Sequence, residues 1–509
     1  MAQDARPAGH LPARGGVVPR GPATRRWLGR RLAGGIALWL ALLGPGLTAD
    51  RPAGTSSVPV PAVTGPVPAT AAPGDASHGY PFFASNLDLA KYGYVEEEFF
   101  IEGTATRYDI GATNFAGTVP NPVAAVVDGG HPYKTRLVVR RPREARQFNG
   151  TAVLEWYNVT NLYDVEIDWF QSHEFLMRNG YAWVGVSAQN AGIATPVTGL
   201  REWSPARYGT LDVTAGGSVT GDALAFDIYS QAAQAVRLSG RGKGTGPQVM
   251  GELRVRHVIG SGDSQSAGYL GVYVNAVHPQ AHVIDALLLH SGGQVTREDV
   301  DIPVFKLLTE TDVTSLGLGA NLQPDTDRIR TWAVAGSSHS DVQLLTYRGP
   351  LQTRDLGTVP ATGTAAGCTL PPRSTIPVYK VQNTVYRDLR RWLLRGEAPP
   401  HAPPLEVETL GPPVELARDA DGNALGGIRL AEHAVPTGLN TGVNGGAGFC
   451  NLWGASVPFD AATLAARYPS HEDYVARVAK VTLDNLRDGY LLLPDAAETL
   501  RQAEDAAVP

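Results

Sequence analysis

One serine in this chain lies in a setting that favours nucleophilic chemistry. A strand predicted over residues 255–259 leads into a run of small residues, Gly260-Ser261-Gly262-Asp263-Ser264-Gln265-Ser266-Ala267-Gly268. In a G-x-S-x-G nucleophile elbow, small residues two places before and after the serine allow a tight turn between strand and helix, which exposes the hydroxyl. Gly262 and Ser266 occupy these places around Ser264, so the strict pattern is broken only at its second glycine. We therefore predict that Ser264 is the nucleophile.

Two alternatives to this prediction remain open. Ser266 is a rival nucleophile, because Gly268 follows it at the required spacing. The shorter distance from the end of the strand at Ile259 favours Ser264. Ser264 could instead be the N-cap of the following helix, since serine is a preferred capping residue.

A serine hydroxyl needs a base to remove its proton and an acid to orient that base. His339 lies in a loop of small residues after an apolar strand, and two carboxylates, Glu310 and Asp312, follow the apolar strand 303–308. We favour Asp312 because its spacing from Pro303 is typical of the acid after the penultimate strand of hydrolases, and we keep Glu310 as the second choice. The order serine, acid, histidine is that of α/β-hydrolases.

The oxyanion of an acyl-transfer intermediate needs N–H donors. The backbone N–H of Gln265, directly after the predicted nucleophile, is the expected first donor. The second should come from a loop after an early strand, and Asn158 and Val159 follow the strand Thr151–Trp156. We predict the backbone of this loop as the second donor.

Strands and helices alternate over the region that contains these residues. Predicted strands cover 135–139, 151–156, 181–186, 255–259, 284–289, 302–308 and 330–334, and predicted helices cover 169–178, 223–238 and 266–277. This alternation predicts a doubly wound, mostly parallel α/β sheet, whose active sites lie at the carboxyl ends of strands. Past residue 345 the pattern weakens, with helices predicted at 378–395, 461–466 and 472–487.

Composition excludes several classes of function. The net charge is −6 and 18% of residues are charged, with no long run of either sign, so we expect no nucleic-acid partner. His173, His257, His278 and His290 show no spacing typical of metal ligands, and no H-E-x-x-H or Cys/His cluster occurs. We therefore expect neither a metal nor a cofactor.

The first 49 residues have the pattern of an export signal. Arg25-Arg26 and Arg30-Arg31 precede an apolar run at 32–43, and the first pair resembles a twin-arginine motif. An uncleaved N-terminal anchor is the alternative. No other apolar segment is long enough to span a membrane, so none is expected after removal of the signal.

Residues 50–78 are rich in Ala, Pro and Thr and are interpreted as a flexible linker, and 79–505 as a single domain with long loops and C-terminal additions. The two cysteines, Cys368 and Cys450, predict a disulfide in an exported protein, with two buried thiols as the alternative. The bond would close a loop of about 80 residues.

Several segments together resemble the α/β-hydrolase superfamily, and more narrowly a family of exported bacterial proteins described as alpha/beta hydrolase domain proteins. The matching segments include 92–98 (YGYVEEE), 155–160 (EWYNVT), 185–189 (GVSAQ), 262–266 (GDSQS), 273–279 (YVNAVHP), 310–312 (ETD), 335–341 (AGSSHSD) and 422–429 (GNALGGIR). The resemblance covers about 80–500. It implies one elaborated hydrolase domain, and it includes Ser266 in the elbow. Both Glu310 and Asp312 fall in one matching segment, so it does not choose between them.

These observations predict an exported serine hydrolase that cleaves a small carboxylic ester through an acyl-enzyme. A hydrolase-like scaffold that binds a ligand without turnover is an alternative of a different class. Acyl transfer to an alcohol on the same residues is a second alternative.

Overall fold

The computed structural model describes residues 57–111, 117, 119–241, 246–358 and 367–509. The predicted export segment 1–49 and residues 50–56 of the predicted linker lie outside the described residues. The first two strands of the described part are a short strand, Ala62–Thr64, and a 16-residue strand, Tyr94–Asp109, and they pair with each other.

The strands are β1 Ala62–Thr64, β2 Tyr94–Asp109, β3 Ala125–Pro142, β4 Thr151–Trp156, β5 Ala182–Val186, β6 His257–Asp263, β7 Ala286–His290, β8 Val304–Thr309, β9 Ile329–Val334, β10 Val407–Thr409, β11 Glu415–Leu416, β12 Gly438–Thr441 and β13 Ala455–Pro458. The α-helices are α1 Ile167–Arg178, α2 Asn190–Ala194, α3 Leu200–Trp203, α4 Pro205–Tyr208, α5 Ala225–Leu238, α6 Gln265–Val272, α7 His278–Ala281, α8 Glu310–Val313, α9 Val342–Leu356, α10 Val378–Arg395, α11 Ala431–Ala434, α12 Cys450–Trp453, α13 Ala461–Arg467, α14 His471–Arg487 and α15 Leu493–Glu504. Short 3₁₀ turns lie at Leu89–Tyr92, Ala145–Gln147 and Leu318–Asn321, and a π-helical turn lies at Tyr273–Val277.

Nine strands form one sheet in the order β1-β2-β3-β5-β4-β6-β7-β8-β9. The four strands β1, β2, β3 and β5 pair antiparallel, and all pairs from β5 through β4 to β9 are parallel. Every residue of β4, β5, β7 and β8 is buried, as expected for parallel strands covered on both faces. The fold is therefore the mostly parallel α/β sheet that the alternation predicts.

Helices cover this sheet. Helix α1 packs against α9 and α10, α10 reaches β7 and β8, and α5 packs against β2, β4 and β6. Glu155 of β4 anchors α1, because its two carboxylate oxygens accept the backbone N–H groups of Asp168 and Trp169. These N–H groups belong to the first turn of the helix and have no partner within it. One matching segment of the sequence, 155–160, therefore fixes where α1 begins.

Another matching segment, 92–98, forms buried ion pairs between β2 and β3. Glu96 and Glu98 are two residues apart, so they point to the same face of β2. Glu98 accepts from Arg136 Nε at 2.7 Å, and Glu96 accepts from Arg140 Nε at 2.7 Å. Both arginine side chains are buried, so their partners offset a large desolvation cost.

The C-terminal part adds two small hairpin sheets, β10-β11 and β12-β13, and helices α11 to α15. It joins the main sheet at its last strand, because Val334 forms a parallel bridge with Ile428. The described residues from 57 to 509 belong to one compact unit. No helix within the described ranges is both long and apolar enough to cross a bilayer.

Three features differ from the sequence predictions. The long strand β2 was not predicted, because its Glu-rich residues hide the apolar alternation. The helix predicted over 266–277 divides into α6 and a π-helical turn, Tyr273–Val277. Residues 62–64, within the span interpreted as a flexible linker, form β1 and pair with Phe100–Glu102 of β2, so ordered structure begins upstream of residue 79.

Candidate active site

The turn between β6 and α6 holds Ser264 in a strained conformation. Its backbone has φ 54° and ψ −115°, and its N–H donates to the His290 carbonyl at 2.9 Å. A positive φ at a non-glycine residue is uncommon and marks strain that the surroundings must support. Gly262 permits the turn, since a Cβ there would lie 2.9 Å from Ser266 Oγ. The side chain of Ser264 is left partly exposed.

Ser266 is enclosed within this turn. Its side chain is fully buried, and its Oγ donates to the Asp263 carbonyl at 2.9 Å and accepts from the Asp263 N–H at 3.0 Å. Its hydroxyl therefore links the end of the strand to the start of the helix. Ser264 occupies the N-cap position of α6 but makes no side-chain capping hydrogen bond. The geometry thus leaves the Ser264 hydroxyl available for another partner.

That partner is His339. Its Nε2 lies 2.9 Å from Ser264 Oγ, and its Nδ1 lies 2.6 Å from Asp312 Oδ1. Ser264 follows β6, Asp312 follows β8, and His339 follows β9, so three parallel strands deliver the three side chains to one edge of the sheet. The structure brings these three predicted residues together.

Asp312 is held from its second oxygen as well. Asp312 Oδ2 accepts from the Thr309 N–H at 2.6 Å and from Ser291 Oγ at 2.8 Å. Burial raises the pKa of Asp312, but the charge and hydrogen bond of His339 and the bonds from Thr309 outweigh it, so the pKa is lowered. The carboxylate is therefore ionised and fixed in orientation.

Glu310, the second candidate acid, is directed elsewhere. Its Oε2 accepts from the Gly336 N–H at 2.8 Å, and its Oε1 accepts from Arg418 at 2.8 Å and from Thr441 Oγ1 at 2.9 Å. The side chain is fully buried. Glu310 therefore supports the start of the loop that carries His339 without contacting the imidazole.

A second histidine lies beneath the turn. His290 Nδ1 is 3.0 Å from Asp168 Oδ1 and 3.4 Å from Asp263 Oδ1, and all three side chains are buried. Burial lowers the pKa of His290, but the two carboxylates outweigh this effect and raise the pKa to about 9. Burial raises the pKa of Asp263 to about 6 in spite of His290. At neutral pH a charged imidazolium therefore lies between two carboxylates.

This cluster acts on His339. Burial lowers the pKa of His339, whereas the charge and hydrogen bond of Asp312 and the charge of Asp263 raise it. His290 opposes them as a like charge, but the pKa of His339 stays raised overall. Protonated His339 is thus favoured relative to a free histidine.

The predicted oxyanion donors lie beside Ser264. Gln265 is the first residue of α6, where an N–H has no partner within the helix. The Asn158 N–H donates to the Val165 carbonyl at 3.1 Å, and the Val159 N–H donates to Gln265 Oε1 at 3.3 Å. The Asn158 side chain donates to the Asp263 carbonyl at 3.0 Å and ties this loop to the turn. Asn158 is therefore occupied at its backbone, and Val159 is held only by a long bond.

A cavity of about 200 Å³ opens above Ser264 and His339. One wall comes from the loop after β4, with Asn158, Thr160 and Asn161. Other walls come from segments that begin at residue 340, namely Ser340, Leu344, Arg348, Gln352, Arg373, Phe449, Leu452 and Trp453. Six of these residues, from Arg348 onward, lie past residue 345, where the α/β pattern of the sequence weakens.

Cys368 and Cys450 form the predicted disulfide, with their Cα atoms 5.4 Å apart. Cys450 begins α12, the short helix that carries Leu452 and Trp453 into the cavity wall. A backbone bridge between Cys368 and Gly446 adjoins the bond. The disulfide therefore anchors one wall of the cavity to the segment before α10.

Within the described ranges, one group of side chains has the geometry of metal ligands. Ligand atoms of His278, His282 and Asp301 all lie within 4.8 Å of one another. The sequence does not reveal this group, because Asp301 is distant in the sequence from the two histidines and reaches them only in the fold. None of the three lines the cavity above Ser264.

Sequence reasoning missed the side chains that surround the three residues. His290 ends β7 and Ser291 follows it, and neither was predicted as a site residue, although the carboxyl end of a strand next to β6 is where such residues would be found. Arg348 and Arg373 come from segments with no strand pattern. Their positions depend on the tertiary fold, so no local signal points to them.

Comparison with known proteins gives the chain its family. A family model described as "Alpha/beta hydrolase domain" matches residues 63–501. No curated protein sequence matches the chain.

Three of the similar solved structures are a serine hydrolase without a lid from Xanthomonas campestris, a cold-adapted esterase from an Arctic intertidal metagenomic library, and a hyperthermophilic esterase from the archaeon Pyrobaculum calidifontis. The first is 14% identical, with 51% of this chain and 96% of that chain covered and a TM-score of 0.26. The second is 15% identical, with 51% and 93% covered and a TM-score of 0.25. The third is 11% identical, with 39% and 70% covered and a TM-score of 0.22.

The match to the family model spans the sheet, the strained turn and the C-terminal additions. The chain belongs to the alpha/beta hydrolase domain family.

Proposed function

We propose that this hydrolase is a serine hydrolase that cleaves small carboxylic esters, with Ser264, His339 and Asp312 as its catalytic residues. The observation that carries the proposal is the continuous pair of hydrogen bonds from Ser264 Oγ through the imidazole to the carboxylate, at 2.9 and 2.6 Å, at the floor of a cavity. This is the arrangement in which a base activates a serine and an acid orients the base.

The first half of the reaction forms an acyl-enzyme. Ser264 Oγ attacks the carbonyl carbon of the ester while His339 Nε2 takes the hydroxyl proton. The imidazolium is stabilised by ionised Asp312, which keeps the proton on Nδ1 and Nε2 directed at the serine. The C–O bond of the ester then breaks, and His339 donates its proton to the departing alkoxide, which leaves as an alcohol.

The second half releases the acid. Water enters the cavity, His339 takes one of its protons, and the hydroxide attacks the acyl carbon. Collapse of the second tetrahedral intermediate returns the proton to Ser264 Oγ. The enzyme is regenerated and a carboxylic acid leaves.

Two backbone groups are our candidates for stabilising the oxyanion. The Gln265 N–H lies at the start of α6, where the helix dipole also favours negative charge. The Val159 N–H is the second candidate, since an oxyanion would compete with the 3.3 Å bond that it makes to Gln265 Oε1. Asn158 contributes by its side chain, which fixes the position of this loop.

We propose that the protein acts after export, in an oxidising compartment. The disulfide between Cys368 and Cys450 supports this, because structural disulfides persist outside the reducing cytosol. The twin-arginine pattern at Arg25-Arg26 predicts the same location from the sequence.

Hydrolysis of short p-nitrophenyl esters tests the proposed reaction. We expect turnover by the wild-type protein and loss of about 10³-fold or more in kcat for Ser264→Ala. Ser266→Ala is the matched control, because its hydroxyl is fully buried in the turn and makes no contact with His339. Turnover that survives in Ser264→Ala would remove Ser264 from the mechanism.

Two outcomes would favour the other functions. A protein that hydrolyses no ester and still binds small ligands in the cavity would be a binding scaffold. An added alcohol that diverts most of the acyl group into a new ester would indicate an acyltransferase.

A further inference from the structure

Two arginines face the cavity that contains the proposed nucleophile. Arg348, on α9, and Arg373, before α10, both line it together with Ser264 and His339. Among the described residues, neither guanidinium has a carboxylate within ion-pair distance. Most other buried or half-buried arginines of this protein do have one, as Arg136, Arg140 and Arg330 illustrate. The two cavity arginines are among the few described exceptions, and they are the ones that line the cavity.

Arg373 is held firmly although it lacks an anionic partner. Its Nη1 donates to the Ser340 carbonyl at 2.9 Å and to Ser340 Oγ at 2.6 Å, and its guanidinium lies 4.6 Å from the centre of the Trp453 ring. Its backbone has φ 84°, which a non-glycine residue rarely adopts. Strain of this kind persists where the surroundings enforce it, often at ligand sites. Ser340 adjoins His339, so the guanidinium is tied to the loop that carries the proposed base.

Arg348 is also positioned by neutral groups. One Nη donates to Asn161 Oδ1 at 3.1 Å and the Nε donates to Gln352 Oε1 at 3.4 Å. The guanidinium lies 6.0 Å from the centre of the Tyr163 ring. An arginine has five N–H donors, so these two bonds leave most of its hydrogen-bonding capacity for a ligand.

The nearby carboxylates do not neutralise this pair. Asp263 also lines the cavity, but its charge faces the imidazolium of His290. Asp341 is buried and accepts from Leu344 and Gln171, and its charge raises the pKa of Arg373. Burial and the neighbouring Arg348 outweigh it and lower the pKa of Arg373 to about 10. Both guanidinium groups line the same cavity, so their like charges repel each other.

Such repulsion is relieved when an anion binds between the cations. A guanidinium presents a planar fork of N–H donors that matches a carboxylate, and charge-assisted bonds of this kind are roughly twice as strong as neutral ones. An ester group alone carries no charge that would require two arginines. A second, anionic group on the substrate would supply the partner that both guanidinium groups lack.

We propose that Arg348 and Arg373 form a subsite for a carboxylate on the substrate, so that the preferred esters are half-esters of small dicarboxylic acids. The proposal rests on the proposed function, because it assigns the ester carbon to Ser264. In this arrangement the acyl portion carries the carboxylate to the arginines, and hydrolysis releases an alcohol and a dicarboxylic acid. Water is the only co-reactant.

Rates for matched esters test the subsite. The probes are the monomethyl esters of C4 to C6 dicarboxylic acids and the corresponding methyl esters in which a carboxamide replaces the free carboxylate. We expect the wild-type protein to prefer the charged ester by roughly 10- to 100-fold in kcat/KM, the worth of a hydrogen-bonded charge. Arg348→Gln and Arg373→Gln should each lose most of this preference, measured within each variant as the ratio of kcat/KM for the charged ester to kcat/KM for the amide ester, so that a general change in activity cancels.

Two further variants separate charge from structure. Arg348→Lys should recover part of the preference, since it restores a point charge without the fork. Arg391→Gln is the matched control, because Arg391 pairs with Glu397 at the surface and lies outside the cavity. It should retain the full preference.

Binding to the Ser264→Ala protein tests the subsite independently of turnover. We expect a C5 dicarboxylate, titrated calorimetrically, to bind more tightly than its diamide, and Arg373→Gln in this background to remove the difference.

Tighter binding of a phosphate-bearing acid than of the dicarboxylate would identify the anion as a phosphate and overturn the assignment of a carboxylate. Ester hydrolysis without preference for charge would overturn the subsite and leave the proposed reaction intact. Anion binding without any hydrolysis would instead overturn the reaction and retain the subsite.

Discussion

Glu310 and Asp312 lie two residues apart in α8, and their carboxylates have different partners. Asp312 Oδ1 lies 2.6 Å from His339 Nδ1, whereas Glu310 accepts the N–H of Gly336, at the start of the loop that carries this histidine. The Asp312 carboxylate thus contacts the imidazole, and the Glu310 carboxylate contacts the backbone that positions it. The two side chains bind different partners, so their substitutions should have different consequences.

We expect Asp312→Asn to lower kcat by about 10³- to 10⁴-fold, because an amide cannot stabilise the imidazolium or keep its proton on Nδ1. Glu310→Gln should act chiefly on the free energy of unfolding, lowering it by about 1–3 kcal/mol as Arg418 loses its charged partner. Steady-state kinetics and urea unfolding of both variants check this. A larger loss of kcat for Glu310→Gln than for Asp312→Asn would reverse the two assignments.

The pH dependence of kcat/KM should report the raised pKa of His339. The base must be neutral, so activity is expected to rise with pH through a midpoint above the ordinary histidine value of about 6.5 and then to level off. Asp263→Asn should move this midpoint to lower pH, because the Asp263 charge is one of the causes that raise the pKa of His339. A midpoint that stays in place, or moves upward, would show that Asp263 does not act on His339.

His290 should make stability depend on pH. Its folded-state pKa of about 9 exceeds the unfolded value of about 6.5, so its contribution is fully present below pH 6.5 and is lost as the pH rises through 9. The difference in unfolding free energy between wild type and His290→Gln should therefore be largest near pH 6 and shrink toward pH 10. The contribution is on the order of 3 kcal/mol. A difference that does not vary with pH would mean that His290 is neutral in the fold.

The strained backbone of Ser264 predicts an unusual pair of variants. Ser264→Gly can adopt φ 54° without steric conflict, whereas Ser264→Ala keeps the conflict. Both should be inactive, but the glycine variant should be more stable than the alanine variant by about 1 kcal/mol. Thermal unfolding of the two proteins measures the difference. Equal stability would indicate that the turn is not strained.

The disulfide should stabilise both the fold and the cavity wall. A closed loop of 82 residues contributes about 4 kcal/mol through the unfolded chain. Replacing Cys368 and Cys450 together by serine should lower the melting temperature and, because α12 carries Leu452 and Trp453, raise KM for esters. An unchanged KM would separate the bond from the shape of the cavity.

Local sequence patterns predicted those parts of the molecule that local physics determines. The strand Thr151–Trp156 and the helix Val378–Arg395 have the predicted bounds, because continuous apolar runs and helical periodicity are local properties. The positions of Ser264, Asp312 and His339 followed from one rule, that residues after parallel strands gather at one edge. Their catalytic roles stay predictions until activity is measured.

The remainder depended on contacts between distant segments. The sequence favoured Asp312 by its spacing from Pro303 but left Glu310 open, since the decision depends on Arg418 and Thr441, which approach Glu310 from the C-terminal additions. The expected backbone donor at Asn158 is bound to Val165, through a bridge that no periodicity reveals. Arg348 reaches the cavity from α9 and Arg373 from the irregular segment before α10, so their proximity becomes visible only in the fold.

Covalent labelling tests directly whether Ser264 is a nucleophile activated by His339. A fluorophosphonate probe reacts covalently with such a serine, and mass spectrometry of the digested protein locates the modified residue. We predict a single adduct on Ser264 that forms in wild type and Ser266→Ala, and that is lost in Ser264→Ala and strongly slowed in His339→Gln. An adduct on Ser266, or labelling of Ser264→Ala at the wild-type rate, would show that Ser264 is not the nucleophile.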